Sequence, residues 1–386
     1  MSESANSPHP FPEQPLPAWR RAVIKVGSSL LTDGRGNLGM RNASALASLI
    51  EGFRSQGREV LLVSSGAVAA GRGLMARRRG SLVQRQALAS LGQTPMLALW
   101  QGLIEHPVAQ VLLSHDDLRN RRRYLNAQAT LQELLRIGAV PIVNENDTVS
   151  VDELKLGDND NLAAAVAALV DADMLFIATD TDGLYTGHPT RDPAARPLPR
   201  VEAITPEVMA MAAGGAGALG TGGMATKLEA ASKAAAAGID TALLCGHDER
   251  SLAALANDRL HGTLIPAHGP RLMARKLWLR HQPACSGRVR IDDGACRALA
   301  ERGASLLPGG VLGVEGDFSN QALVDLVSRQ GRRIGRGLVE YHASDLQRIA
   351  GRHSQEIEDV LGFHNGSAVV RRDNLVLLDQ VAATMH

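Results

Sequence analysis

Aromatic residues make up only 3% of this 386-residue chain, so its core has to be built from Ala, Leu, Val and Ile rather than from stacked rings. Cysteine is scarcer still. Cys245, Cys285 and Cys296 are too few and too scattered for a disulfide framework or a four-ligand zinc site, and their sparseness fits a reducing compartment. A surplus of one charge is also missing: 41 Lys plus Arg face 40 Asp plus Glu, a formal net charge of +1. That balance argues against a nucleic-acid binder working through its whole surface, while leaving room for a local patch. Long hydrophobic runs are absent too. The two uncharged stretches of 19 residues, Gln86–Ile104 and Val208–Thr226, are respectively too polar and too broken by glycine to span a bilayer. The N-terminus lacks the basic start and apolar centre of a signal peptide, so residues 1–20 read as a flexible Pro-rich leader and the protein as cytoplasmic.

What is present suits a globular protein of two or three domains, with 45% apolar and 21% charged residues. Ala22-Val23-Ile24-Lys25-Val26, Val60–Val63, Val111–Leu113, Val140–Val143, Leu175–Ala178 and Ala242–Leu244 are short apolar runs alternating with helical patterns. Such runs predict an α/β fold, a mainly parallel sheet covered by helices on both faces. In sheets of this kind ligands bind beyond the carboxyl ends of the strands. Attention therefore falls on Gly27–Ser29, Ser64–Gly66, Asn144–Asp147 and Thr179–Asp182. After Pro266-Ala267-His268-Gly269-Pro270 the pattern changes to short segments separated by glycines, predicting a small, mainly β module. The expected boundaries are 21–268 for the first domain, 269–284 for a linker and 285–386 for the module.

Two Gly-rich matches fail their structural context. Gly215-Ala216-Gly217-Ala218-Leu219-Gly220 fits the dinucleotide fingerprint but follows a helical stretch instead of a strand. Gly220–Lys227 lacks the Gly-Lys-Ser/Thr ending of a P-loop. It nevertheless offers side-chain-free backbone N–H groups and a lysine, Lys227, in the first turn of an Ala-rich helix, which reads either as a phosphate cradle or as a surface loop. Lys25 sits inside an apolar strand, where an unpaired ammonium is costly. It reads either as an edge lysine reaching water or as a group meeting an anion at the ligand edge. Asn144-Glu145-Asn146-Asp147 and Gly157-Asp158-Asn159-Asp160-Asn161 carry more Asx residues than helix capping needs, a pattern suited to substrate amines, lysine positioning or Mg²⁺ contact through waters. The two-residue His/Cys spacings of zinc chemistry are absent, and no protein metal ligand is assigned.

In this order, Lys25-Val26-Gly27-Ser28-Ser29, Ser64-Ser65-Gly66-Ala67, Asn144–Asp147, Gly157–Leu162, Thr179-Asp180 and Gly220–Lys227 resemble the motif set of the bacterial glutamate 5-kinases. The tail, through Ile291-Asp292-Asp293-Gly294-Ala295, Ser305–Gly310 and Arg348–Gly351, resembles the PUA domain. The resemblance implies an amino-acid kinase fold, ATP and Mg²⁺, L-glutamate as phosphoryl acceptor, inhibition by proline, and a homo-oligomer. It implies that Ser65, Asp147 and Asn159 hold glutamate. Thr179, Asp180 and the loop Thr221, Gly222, Gly223, Met224, Ala225, Thr226 and Lys227 would hold ATP. Lys25 and Lys227 would face the transferring phosphoryl group, with Asp160 positioning them. The Ser64-Ser65 pair departs from the family's Thr-Ser, and either hydroxyl could serve at the first position.

The chemistry is consistent with this set. A glutamate side chain, with a pKa of about 4.3, is already ionised at neutral pH, so no general base is needed and the lack of a His dyad is expected. Two other readings are retained: a sibling kinase acting on aspartate, N-acetylglutamate or UMP, and an RNA-binding protein working through the tail. Against the latter, residues 285–386 hold 12 Arg, no Lys and 13 Asp plus Glu. The cluster Arg332, Arg333 and Arg336 reads as a solvated loop.

Overall fold

The computed structural model describes residues 10–33, 38–75, 81–149, 158–189, 192–213, 223–267, 269 and 285–378. The chain divides into two compact units, residues 1–268 and 269–386. No helix among the described residues is long and apolar enough to cross a membrane.

The first unit runs β1 (Glu13–Pro15), β2 (Arg21–Val26), α1 (Ser28–Leu31), α2 (Met40–Ser55), β3 (Glu59–Ser64), α3 (Ala67–Leu74), α4 (Leu82–Leu103) and β4 (Val108–Leu113). It continues with α5 (His115–Arg119), α6 (Arg121–Arg136), β5 (Val140–Glu145), α7 (Asp158–Leu169) and β6 (Met174–Thr179). It closes with α8 (Pro206–Ala213), α9 (Met224–Ala236), β7 (Asp240–Cys245), α10 (Glu249–Ala256) and β8 (Arg259–Ile265). The eight strands form one sheet in the order β1-β8-β7-β6-β2-β3-β5-β4. Strands β2 to β7 are mutually parallel, and β8 and β1 are added antiparallel at one edge.

Strand alternation splits the core in two. Ala22, Ile24, Val26, Val60 and Leu62 face a cluster that includes Leu46, Ile50, Phe53 and Trp100 of α2 and α4. Val23, Leu61 and Val63 face the other way, toward α7 and α9 with their buried Leu162, Val166, Leu228 and Ala231. Continuous apolar strands result because both faces are covered.

The expected leader is corrected between residues 10 and 20. Glu13–Pro15 pairs with β8 as an edge strand, a position that tolerates Pro15. Phe11 packs edge-on against Tyr185 at 5.1 Å, and Trp19 is buried against Phe53 at 4.8 Å and Phe176 at 5.4 Å. Few as they are, the aromatics are concentrated where they pin this segment to the sheet. Residues 1–9 lie outside the described residues.

The second unit is a five-stranded sheet, β9 (Gly287–Ile291), β10 (Val311–Glu315), β11 (Leu323–Val327), β12 (Arg333–Val339) and β13 (Val370–Leu377), in the order β10-β9-β11-β12-β13. One face covers a core that includes Val289, Ile291, Leu326, Tyr341 and Leu346. Arg333 to Arg336 belong to β12, so the solvated-loop reading of this cluster is corrected: Ile334 enters the core and its neighbours pair with β11.

Helices α3 and α4 meet backbone to backbone. A Cβ at Gly92 would lie 1.7 Å from the Ala67 carbonyl oxygen, whereas one at Gly52, inside α2, would meet nothing within 4 Å. The two glycines should therefore respond with opposite sign. Gly92→Ala should lower the unfolding temperature by about 5 °C or more, by overpacking a contact that has no side chain to move. Gly52→Ala should raise it by about 1–3 °C, by removing a helix-interior glycine. Calorimetric scans of the two variants giving shifts of the same sign would refute this account.

Candidate active site

The sheet order reverses around β2, with β3 on one side and β6 on the other, so the connections leaving β2 and β6 diverge and open a crevice at their carboxyl ends. Lys25 is the penultimate residue of β2. It alternates in phase with Val23 and so points toward α7 and α9. The first turns of both helices lie at this end. Asp160, in the first turn of α7, is wholly buried, and Lys25 and Lys227 retain only 6% and 5% exposure. One carboxylate joins the three elements. Lys25 Nζ lies 2.7 Å from Asp160 Oδ1, while Lys227 Nζ and the Thr226 hydroxyl reach Asp160 Oδ2 at 3.4 Å and 2.8 Å.

Burial and charge oppose each other within this cluster. Burial holds the Lys25 pKa below the ordinary lysine value; Asp160 draws it back only in part, and the Lys227 charge pushes it down again. Burial alone would push the Asp160 carboxyl up, but the two ammonium groups outweigh it and leave that group below the usual carboxylate range. Two lysines meet one carboxylate here, and the Asp180 charge also acts on Lys25. Gly27 leaves Lys25 Nζ uncovered on one side, where a Cβ would stand 3.7 Å away.

A second polar group adjoins it through α7. Asn159 donates through Nδ2 to Ser65 Oγ at 2.8 Å and to Asn144 Oδ1 at 3.0 Å. Its own Oδ1 is buried and has no hydrogen-bond partner among the described residues. Alternation along β3 decides between the two serines. Ser64 turns into the α4 side of the core, where its Oγ accepts from Trp100 Nε1 at 3.1 Å, and Ser65 is left to the site. Asn144, missed as an individual site residue, carried a usable signal: a buried amide in an otherwise apolar strand needs a partner.

Asp147 stands apart. It lines a cavity of about 200 Å³ with Ala89, Ser90, Gln93, Leu112 and Thr148, and no hydrogen bond among the described residues joins it to Ser65 or Asn159. Burial, reinforced by Glu145, pushes its carboxyl up to about 6, against a smaller opposing effect of Arg85. Thr179 is buried at the end of β6 and donates to Asp180 Oδ1 at 3.0 Å, and the Asp180 charge acts on Lys25. Gly223 is the N-cap of α9 and carries no capping side chain; the Thr226 N–H donates to the Gly223 carbonyl at 3.2 Å, which leaves the N–H groups of Met224 and Ala225 at the helix start. Thr221 and Gly222 lie outside the described residues.

A model for the amino acid kinase family matches residues 20–245, and one for the PUA domain matches residues 287–361. A glutamate 5-kinase of Xylella fastidiosa (strain 9a5c) is 57% identical over 378 residues, covering 96% of this chain and 98% of that protein. A glutamate 5-kinase of Xanthomonas axonopodis pv. citri (strain 306) is 58% identical over 363 residues, covering 92% of this chain and 100% of its own. Among solved structures, an isopentenyl phosphate kinase aligns with TM-score 0.45 and 18% identity over 64% of this chain and 100% of that one.

Asp160→Asn would leave two buried ammonium groups without their shared counter-charge. Breaking a buried pair costs about 3–5 kcal/mol. Because the wild-type carboxyl has a depressed pKa, its contribution is fully present above the unfolded value near 3.9 and is lost as pH falls through the folded one. The deficit of the variant in urea midpoint should therefore be large at pH 7 and shrink toward pH 3. A deficit that does not vary with pH would show that the carboxylate charge is not what holds the lysines.

Proposed function

Because the chain belongs to the amino acid kinase family, we propose that it catalyses the reaction named for its glutamate 5-kinase relatives. The terminal phosphoryl group of ATP passes to the γ-carboxylate of L-glutamate, giving L-glutamyl 5-phosphate and ADP, the first step of proline biosynthesis. The observation that carries this reading is the meeting of Lys25 and Lys227, from distant parts of the chain, on Asp160 at the carboxyl edge of the sheet.

The obstacle to this transfer is electrostatic. A carboxylate oxygen forms a bond to the γ-phosphorus while the bond to the ADP oxygen breaks. No proton moves, because the acceptor is already ionised. Two anions must approach, so the site has to provide fixed positive charge and alignment. A lysine about 4 Å from a phosphate oxygen contributes about 4 kcal/mol at an effective dielectric of 20. Lys25 and Lys227 supply that charge from two sides, and Asp160 and Thr226 hold them in place before the nucleotide arrives. Thr179, Asp180 and the Thr221–Lys227 segment cradle the nucleotide.

Mg²⁺ would be brought by the nucleotide and would supply screening of the phosphate charge. Among the described residues no cluster of three acidic, His or Cys side chains forms, and Asp160 is committed to two ammonium groups and a hydroxyl. On the acceptor side Ser65 and Asn159 hold glutamate, with Asn159 Oδ1 free to accept from the substrate ammonium. Asp147 attracts that ammonium from its neighbouring cavity. Proline carries a similar carboxylate and ammonium and competes for part of the same site. The enzyme works in the cytoplasm as a homo-oligomer.

Trapping with hydroxylamine tests the reaction directly, since only acyl phosphates yield hydroxamates. Glutamate should give product, while aspartate and N-acetylglutamate give little; preference for either of these, or ADP release with UMP as acceptor in place of glutamate, would replace the assignment. In the same assay Lys25→Ala and Lys227→Ala should each lower kcat about 10²–10³-fold, a loss of about 3–4 kcal/mol in the transition state. An unchanged kcat in a folded variant would remove that lysine from the mechanism.

The Asp147 carboxyl, raised to about 6, is ionised above that pH and protonated below it. KM for glutamate should therefore rise as pH falls through 6 while KM for ATP stays flat. Asp147→Asn should show a high, pH-independent glutamate KM. A variant whose glutamate KM still climbs through pH 6 would assign the titration elsewhere.

A further inference from the structure

The second unit carries a cavity that the kinase reaction leaves unused. It has a volume of about 590 Å³ and lies on the outer face of the five-stranded sheet, where Arg288, Arg290, Arg329 and Arg333 surround Glu315 and Asp325. Strand register explains the cluster. Along β9, Val289 and Ile291 enter the core, so Arg288 and Arg290 point outward. Glu315 on β10 and Asp325 on β11 stand opposite Arg288, and Arg336 on β12 stands opposite Asp325.

The carboxylates do not balance the arginines. Glu315 is shared by Arg290 at 3.1 Å and Arg288 at 3.9 Å. Asp325 is shared by Arg336 at 3.1 Å and Arg333 at 3.8 Å and also accepts from the Cys285 thiol at 3.2 Å. Arg329 meets no carboxylate among the described residues. The side chains of Arg290 and Arg333 are 47% and 48% exposed, so their ion pairs are weak and open to exchange. Each presents a planar fork of N–H donors whose geometry matches a phosphate or carboxylate edge.

We propose that this cavity binds a small, multiply charged phosphate-bearing molecule, held by Arg288, Arg290, Arg329 and Arg333. Its volume falls in the range of small-molecule sites. A nucleic-acid strand fits less well, because no aromatic ring lines the cavity to stack a base.

The test uses the full-length chain with its kinase site filled by a non-hydrolysable ATP analogue, titrated calorimetrically with inorganic tripolyphosphate. One site per chain is expected, retained in Lys227→Ala. Arg290→Ser and Arg333→Ser should each weaken it about tenfold, whereas Arg352→Ser, a control outside the cavity, should not. Both cavity arginines are half exposed, and unchanged unfolding temperatures would establish that their variants fold. Absence of binding beyond the ATP site, or binding indifferent to Arg290 and Arg333, would overturn the proposal. Oligouridylate binding that tightens with chain length and depends on the same arginines would reassign the face to RNA.

Discussion

A single buried carboxylate organises the first unit's functional end. Asp160 lies at the point where a strand from the N-terminal part of the chain and a helix roughly two hundred residues later each deliver an ammonium group. Burial depresses the Lys25 pKa, and the Asp160 charge is the largest effect opposing that. The carboxylate also gains from its place in the first turn of α7, where the positive end of the helix favours it. Sheet order, helix start and side-chain phase along β2 all have to agree for this contact to form. The three-way pairing thus constrains the fold as much as the fold positions the pairing.

The same phase rule decides how the neighbouring polar residues divide. Two adjacent serines at the end of β3 have opposite fates because consecutive strand residues face opposite ways. Ser64 becomes part of the packing around Trp100, and Ser65 joins Asn159 and Asn144. A hydroxyl shifted by one position would serve the core instead of the crevice. Asn159 and Asp160, side by side on α7, then couple the two polar groups mechanically. One helical turn faces a hydrogen-bonded amide network on one side and an ion-pair network on the other.

Much of this was legible without coordinates, for identifiable reasons. Parallel strands buried on both faces show as unbroken apolar runs, and a lysine within such a run has to have a partner, so β2 and Lys25 stood out. The short segment Glu13–Pro15 did not, because an edge strand of three residues carrying proline has no periodicity to detect, and its attachment comes from Phe11 and Trp19 finding distant aromatic partners. The Arg332–Arg336 stretch misled for a related reason. A strand with one solvated face can be rich in arginine, and only its pairing with Asp325 and the burial of Ile334 distinguish it from a loop. Asp147 illustrates a different limit. Its motif placed it with the other acceptor-side residues, while the cavity it lines depends on how α4 packs against the ends of β4 and β5.

The charge count at Asp160 bears on why the site is built from a triad rather than from two isolated lysines. A carboxylate with one lysine would be neutral and would offer an incoming phosphate little attraction. Two lysines without the carboxylate would repel each other, and burial would drive one of them to lose its proton. With two lysines meeting one carboxylate, and the Asp180 charge also acting on Lys25, the cluster is held at the crevice in the absence of nucleotide. Under the proposed function, the anion that completes it is the terminal phosphate of the nucleotide. A group present only during turnover then receives the full electrostatic benefit without reorganisation of the protein, which is the condition under which fixed charges accelerate a transfer between two anions.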